Sequence, residues 1–265
     1  MRTRSDPLRL DRKMRPHAAF ADLAEADLAA IGECLEVLAS RNGVEDVHAL
    51  RVATRHLRAL AWTFAPALPS GMARRWRQLV GELADAAGPV RDWDVFALET
   101  LKPALDRQPG DPVLLAVLDA AAARRAEAHG EMRARLAQCR HWPLPALQRD
   151  LVHLRGGVGP HLPAAPALGP FARRRVASTR KRLRQLKRAA HENDTARLHK
   201  LRIRGKLLRY TLEALAEVLP ARRTAALHAK LVKRQTRLGR VIDAAVARRL
   251  LCECLGQAPA PGQPA

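Results

Sequence analysis

Residues 47–60 read VHALRVATRHLRAL, and residues 198–211 read LHKLRIRGKLLRYT. Each stretch begins a pattern of one histidine and three cations, and the second copy starts 151 residues after the first. At 100° per residue, the four polar side chains of each copy fall within an arc of roughly 80° on a helix. The arcs consist of His48, Arg51, Arg55 and Arg58 in the first copy and of His199, Arg202, Lys206 and Arg209 in the second. The residues expected to face the core are Leu50, Ala53, Leu57, Leu60 and Phe64, and in the second copy Leu201, Leu208, Leu212 and Leu215.

The repeat extends beyond these two stretches. Gly88 and Asp92 have counterparts in Gly239 and Asp243, and the distance from histidine to aspartate is 44 residues in both copies. Helical periodicity dominates elsewhere, and no run alternates as a β-strand does. Because the connections are short, neighbouring helices should be antiparallel. The sequence therefore predicts an all-α fold made of two helical bundles that arose as an internal repeat.

Breaks in the periodicity give the predicted boundaries. Helices are expected at about 17–40, 44–66, 71–87, 90–107 and 112–138, and again at 171–191, 194–218, 221–238 and 240–254. Asp111 is a plausible N-cap before Pro112. The predicted organisation is a basic N-terminal extension (1–16), a first bundle (17–154), a Gly- and Pro-rich linker (155–170), a second bundle (171–254) and a disordered tail (255–265).

The composition indicates a polyanionic partner. The chain has 265 residues, 48% of them hydrophobic, and a formal net charge of +21 with a pI near 11.4. Such an excess causes self-repulsion in the compact state, so nucleic acid, an acidic membrane surface or a phosphate polymer is expected to bind. Most of the cations are arginines, whose planar fork can grip phosphate oxygens in pairs.

Two interpretations of the cationic arcs remain open. Like charges at i,i+3 and i,i+4 destabilise a helix by a few tenths of a kcal/mol per pair, so a doubled pattern favours an anion that relieves the repulsion. The alternative is an ordinary solvated face. Either histidine alone would be interpreted as a packed or capping residue rather than as a ligand, but its place at the start of each arc favours a phosphate contact.

Other basic stripes could extend such a surface. The predicted additional contacts are Arg173, Arg180, Arg184 and Lys187 on one helix and Lys230, Lys233 and Arg237 on the next. The corresponding helix of the first copy, from residue 20, carries acids instead. The anion surface is therefore expected to draw more charge from the C-terminal part, although each stripe could also be a solvated face.

Several kinds of site are not indicated. The four cysteines show no zinc or disulfide spacing, and they are interpreted as reduced thiols. The basic N-terminus has no apolar stretch of a signal peptide, and no segment is long enough to span a membrane, so a cytoplasmic location is expected. No cofactor, metal site or catalytic residue is predicted.

The two His-x-Leu-Arg motifs, each followed at the same distance by a Gly-x-x-x-Asp element, resemble those of the CHAD family of histidine-containing α-helical domains. The resemblance covers about 17–254. It implies two four-helix bundles related by a pseudo-twofold axis, with a basic surface at their junction that binds inorganic polyphosphate, and association with polyphosphate granules. Two positions depart from it: Lys206 stands where an arginine is expected, and Arg91 has no counterpart in the second copy.

Three functions are compared. Non-catalytic polyphosphate binding ranks first, because a linear phosphate polymer offers only oxygens and charge. Electrostatic nucleic-acid binding ranks second, since single-strand binders use aromatic platforms and only 3% of these residues are aromatic. An enzyme ranks third, because no carboxylate cluster for Mg²⁺ and no activated nucleophile is evident.

Overall fold

A computed structural model describes residues 10–139, 143–156, 162–188 and 195–257. Within these ranges the chain is helical and contains no β-strand, which confirms the predicted all-α class. The α-helices are α1 (Pro16–Ser40), α2 (Val44–Phe64), α3 (Met72–Ala86), α4 (Gly88–Val95), α5 (Lys102–Leu105), α6 (Pro112–Cys139), α7 (Leu144–Gly156), α8 (Leu168–Arg188), α9 (Thr195–Ala214) and α10 (Ala221–Cys254). Below, the first half means α1–α7 and the second half means α8–α10.

Local sequence explains several helix ends. The Asp111 carboxylate accepts hydrogen bonds from the backbone N–H groups of Val113 (2.8 Å) and Leu114 (3.1 Å), which confirms it as the N-cap of α6. Both α2 and α9 are followed by a 3-10 turn, at Ala65–Ala67 and Ala216–Val218. Each helix together with its 3-10 turn agrees closely with the predicted helix, 44–66 for α2 and 194–218 for α9.

The helix prediction was wrong in three places, and two of the differences involve proline. The predicted helix 90–107 is divided by a π-helical turn at Phe96–Leu101, next to Pro103, which has no N–H to donate. The predicted helices 221–238 and 240–254 are one continuous helix, α10. In the first half Pro89 separates α3 from α4, but Arg240 stands at the equivalent place and keeps its N–H, so the helix continues through Gly239. The third difference is α7, which was not predicted.

Helix α7 is held by a buried polar contact. Asp150 accepts hydrogen bonds from Trp76 Nε1 (2.7 Å) and from Arg75 of α3. The predicted linker at 155–170 overlaps the helices on both sides, so its described non-helical part is limited to residues 162–167. Residues 157–161 lie outside the described part of the chain.

Buried apolar side chains form one large cluster and one small cluster. The large cluster fills the first half and also takes in Leu168 and Phe171 of α8, Leu215 after α9 and Leu250 of α10. The small cluster consists of Leu183, Leu201, Leu208, Leu212 and Leu231. All the side chains predicted to face the core from the two motif helices are buried, which confirms the predicted helix phases.

The described second half contains three helices rather than about four. Helix α9 is the central one, with α8 packed on one side and α10 on the other. The order helix, helix, 3-10 turn, helix is common to both halves, but the additional helices α6 and α7 belong to the first half. The pseudo-twofold axis and the assignment of two separate bundles therefore remain predictions.

The described part of the predicted N-terminal extension packs on the second half. The backbone N–H groups of Leu168 and Gly169 donate to the carbonyl oxygens of Met14 and Arg12, each at 2.9 Å. Leu10 is buried, and its N–H donates to the Glu217 carboxylate. Residues 1–9 of the extension and residues 258–265 of the predicted tail lie outside the described residues.

Candidate anion-binding site

Helices α2 and α9 cross, and the crossing brings the two cationic arcs together. At the crossing, the buried hydroxyl groups of Thr63 and Thr211 are 3.0 Å apart. Nearby, the guanidinium carbons of Arg55 and Arg209 lie 5.8 Å and 4.6 Å from the centre of the same ring, that of Tyr210. The first and second arcs are therefore continuous at this point rather than separate surfaces.

Lys206 lies among the arginines of both arcs. Burial, together with the positive charges of Arg202, Arg55 and Arg209, lowers the pKa of its ammonium to about 8. The nearby carboxylate of Asp243 acts in the opposite direction. A lysine normally titrates above pH 10, so these groups are close enough to disfavour one another's charge. We call Arg55, Arg202, Lys206 and Arg209 the junction cluster.

Tyr210 supports this cluster and was not identified from the sequence. Its ring is buried, with His56 packed edge-on at 6.5 Å between ring centres. Its hydroxyl is buried too and has no hydrogen-bond partner among the described residues. His56 is held in turn by Asp27, 2.7 Å from its Nδ1, and this hydrogen bond raises the pKa of the imidazole. The signal available in the sequence was a single tyrosine directly after Arg209.

The first arc divides between two neighbours. While Arg55 faces α9, Arg51 turns to α3, where its Nη1 donates to the Ala84 carbonyl at 2.8 Å. Burial lowers the pKa of Arg51, and the charge of Asp92 counteracts this. Arg58 is exposed and extends towards α3. Its guanidinium carbon lies 3.7 Å from the point where a Cβ on residue 81, a glycine, would stand. The arc is thus anchored at Arg51, whereas Arg58 remains free to meet solvent or a ligand.

The repeated aspartates lie beside the motif arginines. Asp243 is 3.8 Å from Arg202, and Asp92 is 3.8 Å from Arg249 and within electrostatic range of Arg51. Burial raises the pKa of Asp92; Arg51 and Arg249 oppose the shift, and Asp243 adds to it. The two carboxylates also line a cleft of about 280 Å³ between α4, the π-helical turn and α10. They partly neutralise the motif arginines of their own half.

Close packing of α10 sets the position of the second arc. Gln235 Nε2 donates to the Arg202 carbonyl at 3.2 Å. The Gln235 amide occupies the space that a side chain at position 205 would take, so Gly205 leaves room for this hydrogen bond. On the same helix α10, Asp243 lies beside Arg202 of the arc.

The remaining predicted contacts lie outside the junction cluster. His48 is half-buried on α2, and the side chain of His199 lies outside the described part of the structure. Leu231 and Gln235 face α9, which places the basic stripe of α10 on the opposite face of that helix. The stripe residues, all exposed and still predicted contacts, are Arg173, Arg180, Arg184 and Lys187 on α8 and Lys230, Lys233 and Arg237 on α10.

Two kinds of feature are absent from the described residues. These residues contain no group of three or more His, Cys, Asp or Glu side chains arranged to hold a metal ion. None of their helices is both long and apolar enough to cross a bilayer.

The fold and the site define an all-helical protein with a cationic junction between two crossing helices. The CHAD domain family matches residues 23–252, so the chain belongs to that family. No curated protein sequence matches it significantly.

Two solved structures share the fold. The crystal structure of the CHAD domain from the plant Ricinus communis has a TM-score of 0.75 at 24% identity, covering 97% of this chain and 85% of that one. PptA from Streptomyces chartreusis has a TM-score of 0.64 at 20% identity, covering 92% of this chain and 87% of that one. At these identities the likeness concerns the fold alone.

Proposed function

We propose that this chain binds inorganic polyphosphate at the junction of α2 and α9 without turning it over. The observation that carries the proposal is the junction cluster, in which cations from both halves lie close together around the ring of Tyr210 and beside Lys206. Burial and the charges of these neighbours lower the pKa of Lys206 to about 8. A linear polyanion that passes over the cluster would relieve this repulsion. Membership of the CHAD family, with the polyphosphate binding that the resemblance implies, supports the same ligand.

The chemistry of the surface favours a phosphate polymer over nucleic acid. Single-stranded nucleic acids are usually held by exposed aromatic side chains on which bases stack. Here the described aromatic side chains, including Tyr210 and Trp62, are buried. A polyphosphate needs only cationic donors, and arginine forks supply these to its oxygens in pairs. Duplex DNA, which also presents phosphates, is the competing ligand to test.

The proposed role is binding only. The junction cluster contains cations but no nucleophile with an adjacent base, and its arginines would repel the metal ion that phosphoryl transfer usually requires. Association with polyphosphate granules in the cytoplasm would follow from binding alone, and it forms part of the proposal.

The direct test is a competition experiment. Labelled long-chain polyphosphate is bound to the protein and displaced by unlabelled polyphosphate, duplex DNA or single-stranded DNA at several salt concentrations. We expect polyphosphate to compete best at every salt concentration and its affinity to fall steeply as salt rises, because binding releases counterions. Stronger competition by either DNA, or an affinity independent of salt, would contradict the proposal.

A matched pair of variants tests whether the junction is the binding site. Replacing Arg51, Arg55, Arg202 and Arg209 by Ala should reduce affinity by roughly a thousandfold, since each charge-assisted contact contributes over 1 kcal/mol. The control removes the same charge at exposed positions outside the site, namely Arg135, Arg149, Arg222 and Arg223. Circular dichroism should show equal helicity in both. Equal losses of affinity would mean that net charge, and not the junction, determines binding.

A further inference from the structure

Helix α8 carries a second basic flank, distinct from its predicted stripe. Counting 100° per residue, Arg175 and Arg182 lie roughly 180° away from the stripe that begins at Arg173. The buried residues Thr179 and Leu183 lie between the two flanks and face the interior. Across this flank, α9 contributes Arg204, whose charge acts on Arg175.

Arg175 is fixed against the end of α2. Its guanidinium carbon lies 3.9 Å from the ring centre of Trp62, a stacked cation–π contact, and its Nη2 donates to the Trp62 carbonyl oxygen. Arg175 therefore links the second half to the first. The position equivalent to Arg175 in the first half is Ala24, so the repeat does not require this arginine.

The contact with Trp62 leaves part of Arg175 unsatisfied. Its Nε is buried and has no hydrogen-bond partner among the described residues. Burial, together with the charges of Arg182 and Arg204, lowers the pKa of the guanidinium to about 10. An arginine needed only as an anchor gains nothing from two more cations placed near it. Three neighbouring guanidiniums can instead donate to one oxyanion, whose charge would offset their repulsion.

We propose that Arg175, Arg182 and Arg204 bind a phosphate group at a second site, separate from the junction cluster. Arg204 is two residues from Arg202, so the two side chains leave α9 on nearly opposite sides. The site is thus on the α8 side of α9, and the junction cluster is on the α10 side. The ligand class rests on the proposed function; the location rests on the three arginines and Trp62.

Trp62 provides a signal specific for this site. Among the described tryptophans it is the one with a guanidinium stacked on its ring, so an anion at Arg175 should change its fluorescence. Tripolyphosphate is the probe, because it is short enough to occupy one site at a time. We expect a saturable fluorescence change in the wild type, absent from Trp62→Phe. A wild type without such a change would overturn the proposal.

The deciding variant is R182A/R204A, which leaves Arg175 and its anchor in place. Its apparent affinity for tripolyphosphate in the fluorescence titration should fall at least about tenfold, as expected for two lost charge-assisted contacts. The matched control is R135A/R149A, which removes two exposed arginines from the first half and should titrate as the wild type does. Equal titrations of the two double variants would overturn the proposal.

The junction variant separates this inference from the proposed function. With Arg51, Arg55, Arg202 and Arg209 replaced by Ala, the fluorescence change should persist although long-chain polyphosphate binds weakly. Loss of the change in that variant would mean that the signal comes from the junction, and the second site would be rejected. If the change persists and long-chain binding is also unaffected, the proposed junction site fails and the second site stands.

Discussion

The two halves of the molecule present the same motif on very different supports. In the first half, α2 lies between α1 and α3 and over a core that includes Phe20, Trp76 and other fully buried side chains. In the second half, α9 lies between α8 and α10 over a cluster of five leucines. The second half, which has the smaller buried cluster, also carries the denser positive charge.

This difference shows which structural features the motif requires and which it does not. Each motif requires a helix that shows one face to an apolar layer and a neighbouring helix that brings an aspartate beside the arginine. It does not require equal stability of the two supports. The second half, with its small core and unrelieved charge, should therefore gain more stability than the first when a polyanion binds.

The largest expected difference comes from removing one buried leucine from each half. Leu57 and Leu208 are both almost fully buried, so replacement of either by Ala should cost about 2–5 kcal/mol. We expect Leu208→Ala to increase hydrogen exchange mainly in α8–α10 and Leu57→Ala to increase it throughout, because the small cluster is local. Identical exchange patterns in the two variants would show that the halves unfold as one unit.

Removing one arc at a time measures how binding is shared. R51A/R55A and R202A/R209A should each weaken polyphosphate binding by about thirtyfold, since each variant deletes two charge-assisted contacts of one half. Isothermal calorimetry at fixed salt provides the comparison, with R135A/R149A as the charge-matched control. If either pair leaves the affinity at the control value, the site is built from one arc only.

Lys206 makes the second arc sensitive to pH, because its pKa is lowered into the range near neutrality. Since its pKa is lowered to about 8, a bound polyanion should favour the ammonium form, take up a proton and bind less tightly as pH rises from 7 to 9. Lys206→Met should remove this dependence, measured by calorimetry in buffers of different ionisation enthalpy. Proton uptake that persists in Lys206→Met and disappears in H48Q/H199Q would assign it to the histidines.

The same lysine affects the stability of the free protein. An unfolded lysine keeps its ordinary pKa above 10, so between about pH 8 and 10 the unfolded chain holds more protons than the folded chain. The free energy of unfolding attributable to Lys206 should therefore rise with pH over this range, by on the order of 1 kcal/mol. Urea denaturation of wild type and Lys206→Met at both pH values measures the difference. If the free energy of unfolding attributable to Lys206 fell between pH 8 and pH 10, the lowered pKa would not belong to Lys206.

The smallest expected effect concerns the two aspartates. Asp243→Asn should free Arg202 and tighten polyphosphate binding by about two- to fivefold, because a largely exposed ion pair contributes under 1 kcal/mol. Asp92→Asn should have a comparable effect through Arg51. Weaker binding by either variant would show that the aspartates position the arginines instead of competing for them.

The sequence predicted the faces of α2 and α9 well because helical periodicity directly records which side chains are buried. It failed at Gly239, where one helix was predicted to end and the next to begin, although only the first half has a proline after the equivalent glycine. It also failed at α7, a short helix with prolines at 143 and 145 near its start. There, burial against α1 and the contacts of Asp150 outweigh weak local signals.

The candidate site shows where such prediction ends. The arc cations could be assigned because each arc lies on one helix. Tyr210, Arg175 and the contact of Gln235 with Arg202 depend on how helices cross, and spacing within a single helix carries no information about crossing. The α10 stripe illustrates the same point: it is periodic and basic, yet it faces away from α9.

The packing of residues 10–15 on the second half has a consequence for synthesis on the ribosome. Leu10 is made 207 residues before Glu217, whose carboxylate accepts its N–H. At about 5–20 residues per second, this segment waits roughly 10–40 seconds for its partner. The first half can begin to fold meanwhile, but residues 10–15 can dock only after α8 and the turn after α9 have left the exit tunnel. Their docking should therefore be among the last steps of folding in the cell.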